Sequence, residues 1–225
     1  MGIMVFFPTN NVGKYDRYKN SFEKAGFIYK RYLIENNNEV KVDVVEDGKS
    51  LKENAEKKAK EYYDEYKRHL KGQDFAIITT DEALYIEGLD DEHQPGLFVR
   101  RFGGIDAKRA TDEEVVEKYT SVVKALGGEA KAKWVYSLVM YDGSDFYDLT
   151  WEEEVLFSDT PHYPITKGYV LNNITIVKKE ENNNIMLSDL SEKERNDYLA
   201  KYTDSVVKFI KEKMAKIRDE NEQTK

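Results

Sequence analysis

EDGKSLKENAEKKAKEYYDEY (residues 46–66) leads into FAIITTDEALYI (75–86) and then QPGLFVRRFGG (94–104), and this succession of polar helix, apolar strand and arginine-bearing turn predicts an α/β protein. Ser50 and Glu53 have the spacing of a capping box, in which the hydroxyl takes an orphan amide and the carboxylate reaches back. A helix therefore starts at Ser50 and runs to about His69. Leu51, Ala55, Ala59, Tyr62, Tyr63 and Tyr66 recur at helical spacing and form its inward face. Phe75 to Ile78 is a short β-rich run, so Asp81 is expected near the C-terminal end of a buried strand, where open α/β sheets hold their ligands. Ala83 to Ile86 continues the extended chain.

Upstream, Ile3 to Phe7 reads as a buried strand that Pro8 ends, because proline removes a ladder donor. Thr9, Asn10, Asn11 and Gly13 form a polar turn before Lys14, and Tyr15, Tyr18, Phe22 and Ala25 give the following helix its apolar stripe, with Gly26 as C-cap. A strand, a polar loop and a helix opening with lysine can bind an anion on the helix N-terminal amides. By itself this loop reads as an ordinary strand-to-helix turn with a solvated lysine, and it lacks the glycines of a Walker A loop. Phe27–Ile34 and Glu39–Val45, around Asn36–Asn38, read as a hairpin in which Val40, Val42 and Val44 alternate.

Downstream, Pro95 to Phe102 is expected as a short helical turn ending in Arg100 and Arg101, which alone would be a solvated turn. A helix spans Thr111 to Leu126. Strands Ala132–Tyr141 and Phe146–Phe157 flank the turn DGSD, a further strand covers Tyr169–Val177, and Asn182–Asn184 is a turn. Ser191 and Glu194 repeat the capping-box pattern before a helix whose inward face is Leu199, Tyr202, Val206, Ile210 and Met214, and the terminal RDENEQTK is expected to fray.

A formal net charge of -8 speaks against broad nucleic-acid binding, which needs a concentrated basic face. A small anion can still bind where basic groups converge. No apolar run is long enough to span a bilayer, no signal peptide is evident, and cysteine is absent, which together favour an intracellular, cytoplasmic protein without disulfides or thiolate chemistry. The three histidines are scattered and stand at no metal-ligand spacing. With no repeat and no linker, the chain reads as one domain of two lobes: an α/β part over about 1–129, a β-rich part over about 130–190, and a C-terminal helix and tail over 191–225.

TNNVGK (9–14), SLKENAEKKA (50–59), TDEAL (80–84) and PGLFVRRF (95–102) resemble, in the same order, the T-G-N-x-x-K, S-F-x-E-N-A-x-x-K-A, D-D-S-G-L and P-G-x-Y-S-A-R-Y motifs of the inosine triphosphate pyrophosphatase family. The resemblance covers most of the chain and thins after Trp151. It implies an elongated, mixed-sheet, two-lobed α/β fold with a central active-site cleft. It also implies magnesium-dependent cleavage of noncanonical purine triphosphates such as ITP, dITP and XTP to the monophosphate and pyrophosphate, by a homodimer that engages neither nucleic acid nor membrane.

Carried over residue by residue, the resemblance assigns the triphosphate to Thr9, Asn11, Lys14, Lys58 and Arg101, and the magnesium and attacking water to Asp81 and Glu53. For Glu53 a capping role competes with the metal role. Thr80 stands where the family has a first strand-end acid. GYVLNNITI from Gly168 keeps an aromatic, Tyr169, to stack on the purine, but has Asn172 in place of an aspartate, and near Tyr198 only Lys201 stands in for the arginine of a lost S-H-R segment. Altered or relaxed base choice follows, because a site that loses hydrogen-bond partners to the base loses discrimination. Alternatively, Tyr169 is simply a core strand residue. Two other readings are a nucleotide-binding relative without turnover and an acidic interaction protein.

Overall fold

Alternate residues of β1 (Met4–Phe6) and its extension face different helices, as the two-residue period of a strand requires. Phe6 meets Tyr66 and Phe75 edge-on at ring separations of 5.0 and 6.0 Å, whereas Phe7 meets Tyr18 and Phe22 at 5.6 and 5.1 Å. Val5, Phe6 and Phe7 have no exposure to solvent. In this computed structural model, residues 3–26, 28–102, 104, 106–180 and 183–223 are described, with 201, 218 and 220–223 as backbone only.

The first helix, α1 (Val12–Ala25), starts at the Asn11 N-cap and ends at Gly26, whose φ of 79° is left-handed and suits a residue without Cβ. The chain returns through β2 (Tyr29–Lys30), which pairs in parallel with β1 at Val5↔Tyr29. The expected hairpin shrinks to β3 (Ile34–Glu35) and β4 (Asn38–Glu39), turned by Asn36 and Asn37 at φ 50° and 65°. Beyond Glu39 the chain is extended without a ladder, yet Val40, Val42 and Val44 still pack inward against the cluster of Tyr32, Ala59, Tyr62 and Tyr66. Their alternation reports one buried face, and a face can be buried without strand pairing.

Helix α2 (Leu51–His69) has Ser50 as its N-cap, with Asn54, Ala55, Ala59, Tyr62 and Tyr66 buried. The strand after it, β5 (Phe75–Ile86), is longer than the sequence predicts. It pairs in parallel with β1 from Met4↔Phe75 to Phe6↔Ile77, and further on Leu84 bridges Gly96 by two backbone hydrogen bonds of 3.0 and 2.9 Å. Asp81 is therefore inside a continuous strand, past the end of its pairing with β1. The strand continues through the charged residues because Leu84 and Ile86 beyond them are buried and pull the chain onward.

The expected turn at Pro95–Phe102 is a run of four-residue turns, with Phe98 N bonded to Pro95 O and Arg101 N to Phe98 O. Helix α3 (Asp112–Ala125) opens with a complete Thr111–Glu114 capping box. Strands β6 (Glu129–Tyr141) and β7 (Phe146–Ser158) form the hairpin read from DGSD, in which the Asp142 carboxylate accepts from the amides of Ser144 and Asp145, each at 2.8 Å. A Cβ on Gly143 would sit 2.1 Å from the Tyr63 hydroxyl, so glycine is required there.

Tyr169–Val177 departs from the expected strand. Tyr169 precedes a 3-10 turn over Val170–Asn173, and β8 (Thr175–Lys178) begins only after it. The expected Asn182–Asn184 turn lies partly outside the described residues. After β9 (Ile185–Met186), the Ser191–Glu194 box opens α4 (Glu192–Gln223), and the segment expected to fray is helical to Gln223.

The main sheet has the order β2-β1-β5-β6-β7-β8-β9. Two compact units share the chain: Met1–Asp81, Tyr136–Thr150 and Lys201–Lys225 form the first, and Glu82–Val135 and Trp151–Ala200 the second. The first has the aromatic core already described. The second buries Val115, Val116, Tyr119 and Val123 of α3 with Leu84, Ile86, Phe157, Val170, Leu171 and Ile174. Among the described residues no helix is long and apolar enough to cross a membrane.

Candidate active site

Because β1 and β5 run parallel, the loop after Phe7 and the part of β5 that follows Ile77 lie toward the same end of the β1–β5 pair. The loop is organised by its own side chains. Thr9 Oγ1 accepts from Asn11 N at 3.2 Å, and Asn11 Oδ1 accepts from Lys14 N at 3.3 Å. Arg31 Nε donates to Thr9 O at 2.8 Å, and the Tyr32 hydroxyl donates to Asn10 Oδ1 at 2.8 Å. Thr9, Asn11 and Lys14 are thus gathered at one helix N-terminus, each half-buried.

On the neighbouring strand Asp81 is only 8% exposed, and both of its carboxylate oxygens are engaged. Lys58 Nζ lies 3.1 Å from Oδ1, and Asn54 Nδ2 donates to Oδ2 at 3.1 Å. Asn54 and Lys58 are four apart on α2 and so share one face of that helix. Lys58 also donates to Thr80 O at 3.2 Å and pairs with Glu46 Oε1 at 3.0 Å. Burial alone would push the Lys58 ammonium to lower pKa, but the charges of Asp81 and Glu46 outweigh it and the net shift is upward. Lys58 therefore stays cationic at neutral pH.

Asn54 is locked from its other side, where Gly48 N donates to Asn54 Oδ1 at 2.8 Å. A Cβ on Gly48 would lie 2.5 Å from that oxygen. The EDG tripeptide thus allows the chain to press onto the start of α2, which sets Glu46 against Lys58 and Asp47 against Lys57 at 2.7 Å.

Glu53 belongs to a different network. It is exposed, its amide donates to Ser50 Oγ at 3.1 Å, and its Oε2 accepts from Lys49 N at 2.7 Å. Its carboxylate completes the helix cap, one residue further back than a standard box, and the second acid beside Lys58 is Glu46. No motif in the sequence marks Glu46, and Asn54 lies inside ENA with no role of its own there. The signal for both was the glycine at 48, which marks a close backbone approach.

Glu46 and Asp81 each contact the same Nζ, so their oxygens lie within twice a hydrogen-bond length of each other. Among the described residues no group of three or more His, Cys, Asp or Glu side chains is arranged to hold a metal. A pair of carboxylates still fits a hard divalent ion that keeps several waters and takes its remaining ligands from phosphate.

The other predicted residues lie in the second unit or outside the described side chains. Arg101 is exposed on its turn, while neighbouring Arg100 is bound to Asp112 and to Ala110 O. Tyr169 and Asn172 are half-buried at the 3-10 turn. The side chain of Lys201 lies outside the described residues.

A model of the Ham1 family matches residues 5–198. The dITP/XTP pyrophosphatase of Aquifex aeolicus (strain VF5) is 27% identical over 194 residues, which cover 84% of this chain and 86% of that protein. Among solved structures, a HAM1 protein from Coxiella burnetii matches with a TM-score of 0.61 at 16% identity, over 93% of this chain and 99% of that one. The Staphylococcus aureus Ham1 protein matches with a TM-score of 0.57 at 18% identity, over 86% and 89% of the two chains. These structural likenesses show a common mixed α/β fold.

Proposed function

This chain belongs to the Ham1 family, and from that membership we propose that it is a nucleoside triphosphate pyrophosphatase acting on noncanonical purines such as ITP, dITP and XTP, with water attacking between the α and β phosphorus atoms to release monophosphate and pyrophosphate. The observation that carries the reading is the buried Asp81 carboxylate, held by Lys58 and Asn54 with Glu46 beside it. The named activity of the Aquifex relative supports the same chemistry.

Asp81 and Glu46 would hold magnesium, which when bound neutralises phosphate charge and polarises a water. Lys58 and Asn54 fix the orientation of Asp81, so the acid does not have to reorganise as charge develops. Lys14, Lys58 and Arg101 supply cations for the triphosphate, and Thr9 and Asn11 shape the α1 N-terminus so that its amides face a phosphate. Glu53 supports this arrangement through the helix cap. Tyr169 stacks on the purine, with Asn172 and Lys201 the polar groups that meet its edge, and their departure from the family pattern predicts relaxed base choice. The family reading also carries a homodimer and a cytoplasmic location.

Pyrophosphate release measured with magnesium across ITP, XTP, dITP and the ordinary triphosphates tests the reading. Release from the noncanonical purines is expected. A nucleotide-dependent rise in melting temperature without release would leave a silent relative, since a ligand bound only to the folded state must stabilise it. No release and no stabilisation with any nucleotide would leave an interaction protein.

A further inference from the structure

Asn173 has no exposure to solvent, and its whole amide is committed to one loop. Its Oδ1 accepts from Thr166 N at 2.8 Å, while its Nδ2 donates to the carbonyls of His162 at 2.5 Å and Pro164 at 2.9 Å. Its backbone carbonyl accepts from His162 N at 2.9 Å. The segment 162–166 is therefore laid against Asn173 by four hydrogen bonds.

The same residue closes a ring around the turn that follows. Tyr169 N donates to Thr166 O at 3.0 Å and Asn172 N to Tyr169 O at 2.9 Å, after Gly168 reverses the chain at φ 84°. Asn173 then returns to Thr166 through its side chain. Val170, Leu171 and Ile174 pack into the second core with α3. Tyr169 and Asn172, half-buried, are the side chains of this turn outside that core.

We propose that Asn173 is a positioning residue for nucleobase recognition, holding Tyr169 and Asn172 in one arrangement before substrate arrives. The proposal rests on the reading of those two residues as base-facing. A preformed turn spares the base the entropy of ordering a loop, so its contribution is to affinity. Loss of such uniform binding raises KM and leaves kcat. Among the side chains of this segment, only an amide supplies both the donors for two carbonyls and the acceptor for Thr166 N; a carboxylate of the same shape would turn an oxygen toward the two carbonyls.

Asn173→Asp tests this against the parent enzyme, with inorganic tripolyphosphate as a competitor that has no base. The expected result is a KM for ITP raised about tenfold, a kcat within about twofold of the parent and an unchanged inhibition constant for tripolyphosphate. Val123→Ala, a cavity in the same core, should lower the melting temperature and leave KM alone. A folded Asn173→Asp enzyme with the parent's KM overturns the proposal, and so does an equal loss of ITP and tripolyphosphate binding, which marks general damage. If that variant does not fold, amide hydrogen exchange in the parent with IMP decides. Protection of Thr166, Tyr169 and Asn172 that is present before IMP is added supports the assignment, and protection that appears only once IMP is bound overturns it. Failure of the parent to release pyrophosphate from any triphosphate would be a different result, and would remove the functional reading itself.

Discussion

The Asp81 cluster and the Tyr169–Asn173 turn achieve fixed geometry by opposite means. Around Asp81, charged side chains on a helix and a strand converge, and each is held by a partner of opposite charge or by a matched amide. Around Tyr169 one buried amide sews a backbone turn to a loop. The first device suits a polyanion and chemistry, because preorganised charges in a site removed from water act most strongly on developing charge. The second suits a flat, neutral base, where affinity comes from a surface that is already shaped.

The largest expected effect breaks the first region. Asp81→Asn keeps shape and removes the charge, and should lower kcat by roughly a thousandfold or more while the protein still melts cooperatively. Undiminished turnover would move the reacting carboxylate elsewhere.

Glu46 and Glu53 separate chemistry from architecture within that same region. Glu46→Gln should reduce kcat/KM by about a hundredfold with little change in stability, as expected for a group that pairs with Lys58 and would sit beside the proposed magnesium. Glu53→Gln should retain turnover and cost up to about 1 kcal/mol of stability through the weakened cap. Chemical denaturation beside steady-state kinetics reads both, and the reverse pattern would return the metal role to Glu53.

Lys14→Ala should raise KM about tenfold with kcat nearly unchanged, since it removes one cation from a polyanion site. Kinetics like the parent's would reduce the Thr9–Lys14 loop to an ordinary turn. The smallest effect belongs to the second region. Tyr169→Ala should raise the KM for ITP by about fivefold, in line with the affinity of one stacked base. Specificity constants for ITP, GTP and ATP in the parent should differ little, and a strong ITP preference would refute relaxed base choice. An unchanged KM in Tyr169→Ala would refute stacking and put Tyr169 among packing residues.

Local rules in the sequence determined the helix starts at Ser50 and Ser191, the Gly26 cap, the DGSD hairpin and the inward faces of α1 to α4. Each depends on residues within a few positions of one another, and capping hydrogen bonds or periodic burial act at that range. The order of four short motifs likewise carried the family and with it the fold. What lies between distant residues was decided only by folding. β5 runs through Asp81 because buried Leu84 and Ile86 continue it, and Glu46 rather than Glu53 pairs with Lys58 beside Asp81 because Gly48 lets the chain close on Asn54. The strand expected at Tyr169 became a turn because Asn173 captures three backbone groups, at His162, Pro164 and Thr166. In a sequence an asparagine or a glutamate carries the same donors and acceptors wherever it stands. Burial selects which of them must be satisfied, and tertiary structure supplies the partner.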